Sequence, residues 1–148
     1  MNNKPSQPSS TASSRPVRAV ILAAGKSTRM KSDRPKVMHE VCGRPMLAYV
    51  LDACRDAEIR ETVVVVGFGK DEVIAAYSGQ PGISFVEQSE QKGTGHAVSM
   101  CADAFKGFDG DCVVIAGDMP MIRSQTLRDL VGGHRASGSV ASIATTVL

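Results

Sequence analysis

The residues best suited to chemistry lie in three short stretches. LAAGKSTRM at 22–30 leaves the apolar run 17–22 and leads into RPK at 34–36. A buried strand that empties into a small-residue turn exposes backbone N–H groups, and Arg29 and Lys36 add fixed positive charge beside them. Such a loop suits the phosphates of a nucleotide. Gly25 lets the backbone approach a phosphate, while the two cations can stabilise charge that moves onto departing pyrophosphate. Gln88 lies just past the apolar run 83–86, and a carboxamide can both donate to and accept from a uracil edge. Asp118, in AGDMP at 116–120, places a carboxylate at the carboxyl end of the run 112–116. Magnesium prefers such hard oxygen ligands and commonly combines one or two carboxylates with phosphate oxygens. The competing readings are an ordinary βα turn with solvated cations, a surface glutamine and a turn-forming aspartate.

Two familiar signatures are excluded. The letters GKST invite a P-loop, but that motif needs glycine five positions before the GK glycine, and Val20 stands there. GFGKDE at 67–72 follows a strand and opens a helix as a dinucleotide fingerprint would, yet Glu72 fills its third glycine position. The bulk and charge of Glu72 oppose close packing near a pyrophosphate, so a plain strand-to-helix turn is expected. His96, in the first turn after GTG, is read as structural or solvent-facing.

These residues need a scaffold, and the pattern around them supplies one. Apolar β-rich runs at 17–22, 62–66, 83–86, 112–116 and 140–147 alternate with segments of helical period. In 45–58 the stripe is Met46, Leu47, Val50, Leu51, Cys54 and Ala57, and after Gly93 it is Ala97, Val98, Cys101, Ala102 and Phe105. Ser124 is expected to N-cap a further helix carrying Leu127, Leu130 and Val131. Continuous Val/Ile strands alternating with helices predict an α/β fold with a doubly wound, mostly parallel sheet covered on both faces. Ligands bind outside the carboxyl ends of such strands, which directs attention to the loops after Leu22, Val86 and Ala116.

Composition narrows the function classes. The 148 residues suffice for one core, and 43% hydrophobic with 22% charged residues is usual for a soluble globular domain. A net charge of +2 and 4% aromatic residues give no sign of a nucleic-acid or membrane partner. Residues 1–16, rich in Ser, Pro and Asn, read as a disordered tail without a signal or membrane-spanning stretch. The four cysteines, Cys42, Cys54, Cys101 and Cys112, are too widely spaced for a metal pair and read as reduced thiols in the cytoplasm.

LAAGKSTRM with Lys36, the following VMHEVCGRPMLAYVLDA, EQKGTGHAV at 90–98 and AGDMP occur in the order and spacing of sugar-phosphate nucleotidyltransferases. Over residues 17–148 the chain resembles most the uridylyltransferase domain of bacterial N-acetylglucosamine-1-phosphate uridylyltransferases. The resemblance implies a Rossmann-like nucleotidyltransferase fold that transfers UMP from UTP to N-acetylglucosamine 1-phosphate. The products would be pyrophosphate and UDP-N-acetylglucosamine, a cell-wall precursor. It implies that Leu22, Ala23, Ala24 and Gly25 hold the nucleotide, with Arg29 and Lys36 on its phosphates. It also implies that Gln88 reads the base, that Gly93 and Thr94 support the nucleotide, and that Ala116 and Gly117 lead to Asp118, the ligand of Mg2+. Ser27 stands where the family often has a second glycine, and Ala116 where it often has a larger residue. The chain ends on Val147 and Leu148 inside what reads as a strand, which suggests a truncated piece. In the resembling family the acceptor pocket, a second metal ligand and the left-handed β-helix acetyltransferase domain of bifunctional members follow later. The piece alone is therefore expected to be inactive. The alternatives are another nucleotidyltransferase, such as a molybdenum-cofactor guanylyltransferase or one for a different sugar phosphate, and a nucleotide-binding module without turnover.

Overall fold

The computed structural model describes residues 15–26 and 32–145. In chain order its strands and α-helices are β1 (Val17–Ala23), the short strands β2 (Glu40–Val41) and β3 (Arg44–Pro45), α1 (Met46–Asp56), β4 (Glu61–Val66), α2 (Lys70–Tyr77), β5 (Ile83–Glu87), α3 (Thr94–Ser99), β6 (Asp111–Ala116) and α4 (Ser124–Ser137). Four strands form a parallel sheet in the order β5-β4-β1-β6. Val20 of β1 lies opposite Val63 and Val114, and Leu22 opposite Val65 and Ala116.

Burial explains the continuous apolar runs. Ala19, Val20 and Ile21 in central β1 are fully buried, and so is nearly all of β4 from Thr62 to Val66. One face of the sheet receives α1, α2 and α4, with Leu47, Val50, Cys54, Val73 and Leu127 joining Ile21, Val64 and Ile115 in one core. The other receives α3 and the turn after it, where Ala97 and Cys101 join Val20, Val63 and Val65. Each fully buried Val, Leu or Ile contributes about 1.5–3 kcal/mol relative to exposure, so both helical layers are needed to cover β1 and β4. The doubly wound expectation holds. Among the described residues no helix is long and apolar enough to cross a membrane.

The order reverses at β1: β4 and β5 extend to one side, and β6 returns to the other. The crevice beyond the carboxyl ends of β1 and β6 is therefore the topological switch point.

Several expected boundaries move. Residues 140–145 form no strand, and Val140 and Ile143 are 102% and 85% exposed. A β-branched pattern needs a ladder partner to become a strand, and the chain leaves α4 through left-handed Gly138 (φ 62°) without pairing with β6. Residues 146 and 147 of that expected strand lie outside the described residues. Ser124 is the first residue of α4 rather than its cap. Arg123 occupies the cap position, and the Ser124 hydroxyl instead accepts a hydrogen bond from Arg128 at 3.2 Å. The helix after Gly93 is shorter than its stripe because Cys101 N bonds back to Val98 O, a three-residue step that tightens the chain into a 3-10 turn over Ala102–Phe105. The fold also begins slightly earlier than expected: Pro16 O accepts from Asp111 N at 2.9 Å, and Arg15 pairs with Asp109. The rest of the expected tail lies outside the described residues. β2 and β3 form an antiparallel hairpin that was not anticipated. Its two central residues, Cys42 (φ 51°) and Gly43 (φ 76°), have the positive angles of a type I′ turn.

Candidate active site

The loop after β1 is held from below by two other loops. Ala24 O accepts hydrogen bonds from Phe68 N at 3.2 Å and from Gln91 Nε2 at 2.7 Å. A Cβ on Gly67 would lie 2.9 Å from both Cβ and O of Ala24 and 3.1 Å from Gln88 O. Glycine at 67 is thus what lets the turn after β4 touch the loops after β1 and β5. Among the described residues, a Cβ on Gly25 would meet no atom within 4 Å. Lys26 follows, with its ammonium 4.8 Å from the centre of the Phe68 ring. Arg29 and the rest of 27–31 lie outside the described residues.

The loops after β1 and β6 meet by backbone. Gly117 N donates to Leu22 O at 2.9 Å, and a Cβ on Gly117 would sit 3.0 Å from Val37 Cγ1. Ala23 completes β1 opposite Val66, and half-buried Ala116 lies opposite Leu22. Beyond Gly117, Asp118 accepts a hydrogen bond from the Lys36 ammonium, so the pair bridges the crevice at the switch point. Lys36 opens a single 3-10 turn, Lys36–Met38, anchored by buried Val37 and Met38. That turn is fixed in turn by the GFGKDE segment. Gly69 has φ 63° and would carry a Cβ only 2.4 Å from Pro35 Cγ, and Arg34 Nε donates to Glu72 at 2.7 Å. Glu72 holds the Arg34 guanidinium above its ordinary pKa, chiefly by that hydrogen bond.

With side chains 37% and 28% exposed, Lys36 and Asp118 add little to stability as a pair. Their import is placement: a fixed cation and a hard oxygen donor face each other where two loops converge. Among the described residues no group of three His, Cys, Asp or Glu gathers. Asp118 could therefore hold a divalent cation only with oxygens from elsewhere, such as a ligand's phosphates, which suits a single-carboxylate magnesium site.

Gln88 is 5% exposed and is no surface glutamine. Its backbone N–H extends the ladder to Val66 O at 2.8 Å. Its side-chain Nε2 donates to Gly93 O at 3.2 Å and lies 3.0 Å from His96 Nδ1. Gly93 adopts φ 94° at the cap of α3, which turns its carbonyl toward Gln88 and Ala97 N. Exposed Thr94 begins that helix. Thus Leu22, Ala23, Ala24, Gly25, Lys36, Ala116, Gly117 and Asp118 gather at one crevice. Gln88, Gly93 and Thr94 form its flank, joined to the β1 loop through Gln91 and Gly67. Gly67 was read from sequence only as part of a strand-to-helix turn, and the roles of Gln91 and of the Pro35–Gly69 contact were not anticipated, because each acts through a contact between distant segments.

The parallel, doubly wound sheet thus carries a small-residue loop and a Lys–Asp pair at its switch point, where sheets of this kind bind ligands. The chain matches the MobA-like NTP transferase domain model over residues 19–147 and belongs to that family. It is 50% identical over 129 residues to the bifunctional protein GlmU of Lactococcus lactis subsp. lactis, covering 87% of this chain and 28% of the relative. To the protein of the same name from Geobacter metallireducens it is 45% identical over 130 residues, covering 88% and 27%. The chain therefore spans little more than a quarter of these curated relatives. Among solved structures, a nucleotidyl transferase from Methanothermobacter thermautotroptrophicus superposes with a TM-score of 0.64 at 25% identity, covering 78% of this chain and 56% of that one.

Proposed function

We propose that this chain forms the nucleotide-binding half of a uridylyltransferase that moves UMP from UTP to N-acetylglucosamine 1-phosphate. It would work in the cytoplasm, with a sugar 1-phosphate as second substrate and neither nucleic acid nor membrane as partner. The observation that supports the reading is the buried Gln88, which lies on the flank of the loop after β1 while the Lys36–Asp118 pair lies at the switch point. In this reading Leu22–Gly25 follow the nucleotide, Gln88 addresses the uracil edge, and Gly93 and Thr94 support the nucleoside. Lys36 and Arg29 act on the phosphates.

Asp118 would hold Mg2+, which, when bound, supplies positive charge against the phosphate oxygens. The acceptor phosphate needs no general base, because a monoester's second pKa is about 6 and it is largely ionised near neutrality. One of its oxygens attacks the α-phosphorus as the bond to pyrophosphate breaks. The protein contributes alignment of attacking and leaving oxygens, and Lys36 offsets charge growing on pyrophosphate. Lys36 is free to do so once a ligand replaces Asp118 as its partner.

The test is product analysis on the protein expressed from its complete coding region, supplied with UTP, MgCl2 and N-acetylglucosamine 1-phosphate. Pyrophosphate and UDP-N-acetylglucosamine in equal amounts are expected. Equal release from GTP, or release only with a different acceptor, would overturn the assignment.

A further inference from the structure

We infer that His96 is a positioning residue that fixes the orientation of the Gln88 amide, and thereby makes Gln88 read uridine rather than cytidine. The inference rests on the proposed role of Gln88 as the base reader and adds to it the group that sets its polarity. A glutamine amide has two nearly isosteric ends, and only its partners decide which end faces a ligand. Gly93 O has no hydrogen to give, so the end facing it at 3.2 Å is Nε2. The same Nε2 is 3.0 Å from His96 Nδ1. Because Nε2 only donates, Nδ1 must accept, which puts the imidazole proton on Nε2 of the ring.

Both amide hydrogens of Gln88 are then engaged within the protein, and among the described residues its Oε1 accepts no hydrogen bond. Gln88 therefore offers a base an acceptor and no donor. That matters for base choice: uracil N3 carries a hydrogen, whereas cytosine N3 is a lone pair. Set against position 3 of the ring, Oε1 attracts the first and repels the second. With the amide reversed the preference would invert, and the two internal bonds oppose reversal. His96 can do this because Gly93 sits at the cap of α3 and the histidine comes three residues later, on the helix face toward buried Gln88.

The experiment has two independent arms. In the free, 15N-labelled protein, NMR of His96 should show an unprotonated Nδ1 with scalar coupling across the hydrogen bond to Gln88 Nε2. A protonated Nδ1 would overturn the inference whatever nucleotide is preferred. In the second arm, calorimetry measures UTP and CTP binding with MgCl2 present. His96→Phe keeps a planar ring without an acceptor and should lower the UTP-to-CTP affinity ratio about fivefold, the equivalent of one neutral hydrogen bond. His96→Asn, whose side-chain oxygen can take the place of Nδ1, should restore most of the ratio. A ratio unchanged in His96→Phe, or lowered equally in His96→Asn, would overturn the inference. Tightest binding of GTP or ATP to the wild type would overturn the uridylyl reading instead, with the His96 tautomer still judged by the first arm.

Discussion

Gly67→Ala is the sharpest test of how the site is assembled, because it adds one methyl group where three loops meet. Gly67 does not need a left-handed angle; its constraint is space alone. The new Cβ would stand 2.9 Å from Ala24 Cβ, 2.9 Å from Ala24 O and 3.1 Å from Gln88 O. None of these atoms is the end of a flexible side chain, so relief requires the β1 and β5 loops to move apart. Overpacking of this kind costs about 1–3 kcal/mol. At about 2–4 °C per kcal/mol for a domain of this size, Tm should fall by roughly 2–12 °C. The displaced groups are the carbonyl that Phe68 and Gln91 hold and the backbone of the proposed base reader. UTP affinity should therefore fall by about tenfold, the equivalent of one good hydrogen bond. Thermal unfolding by circular dichroism and calorimetric titration with UTP and MgCl2 measure the two effects. Gly79→Ala is the control, since its Cβ would meet none of the described residues within 4 Å, and it should leave both quantities nearly unchanged. A Gly67→Ala protein with wild-type Tm and UTP affinity would refute the buttressing argument.

Four further outcomes follow from the same structure. Lys36→Ala should weaken UTP binding at least about tenfold while moving Tm by no more than a few degrees, since a partly exposed ion pair is worth about 1 kcal/mol or less; calorimetry and a thermal melt check this. Gln88→Ala should shrink the preference for UTP over the other triphosphates by about 1 kcal/mol per lost base contact, read from competition titrations. Gly132→Ala in α4, where a Cβ would meet none of the described residues beyond its own helix backbone within 4 Å, should stabilise the fold by up to about 1 kcal/mol in urea unfolding. Burial pushes the Cys54 thiol up to about 12. Unfolded cysteine ionises near about 8.5, so the stability gained by keeping Cys54 protonated is complete below that pH and is lost as pH rises toward 12. Alkylation at pH 8 should modify exposed Cys42 and spare Cys54 until urea unfolds the chain.

The strands β1 and β4 were legible because a strand buried on both faces must be apolar at nearly every position, whereas the edge strands β5 and β6 showed as short apolar runs although β5 has no fully buried residue and Val114 of β6 is 43% exposed. The same logic failed at 140–147, where β-branched letters lack a ladder to join. The hairpin of β2 and β3 was invisible to periodicity, since two-residue strands have no period, and Cys42-Gly43 was its sole local signal. At the site, Asp118 was legible as a carboxylate at a strand's carboxyl end and Lys36 as a cation following the loop after β1, and the structure joins them across the crevice. The burial of Gln88 was not legible. It depends on Gly93 turning its carbonyl inward and on His96 lying one helical turn further, a contact that sequence spacing alone left as structural or solvent-facing. GFGKDE was read correctly as a strand-to-helix turn, but its support of Ala24 and Pro35 is a matter of distances between segments.

The most direct measurement of the central claim is calorimetric titration of this chain with UTP, CTP, GTP and ATP, each with and without MgCl2. The account predicts UTP as the tightest ligand, with an enhancement by Mg2+ that disappears in Asp118→Asn. Tightest binding of GTP, or UTP binding indifferent to both Mg2+ and Asp118, would contradict it.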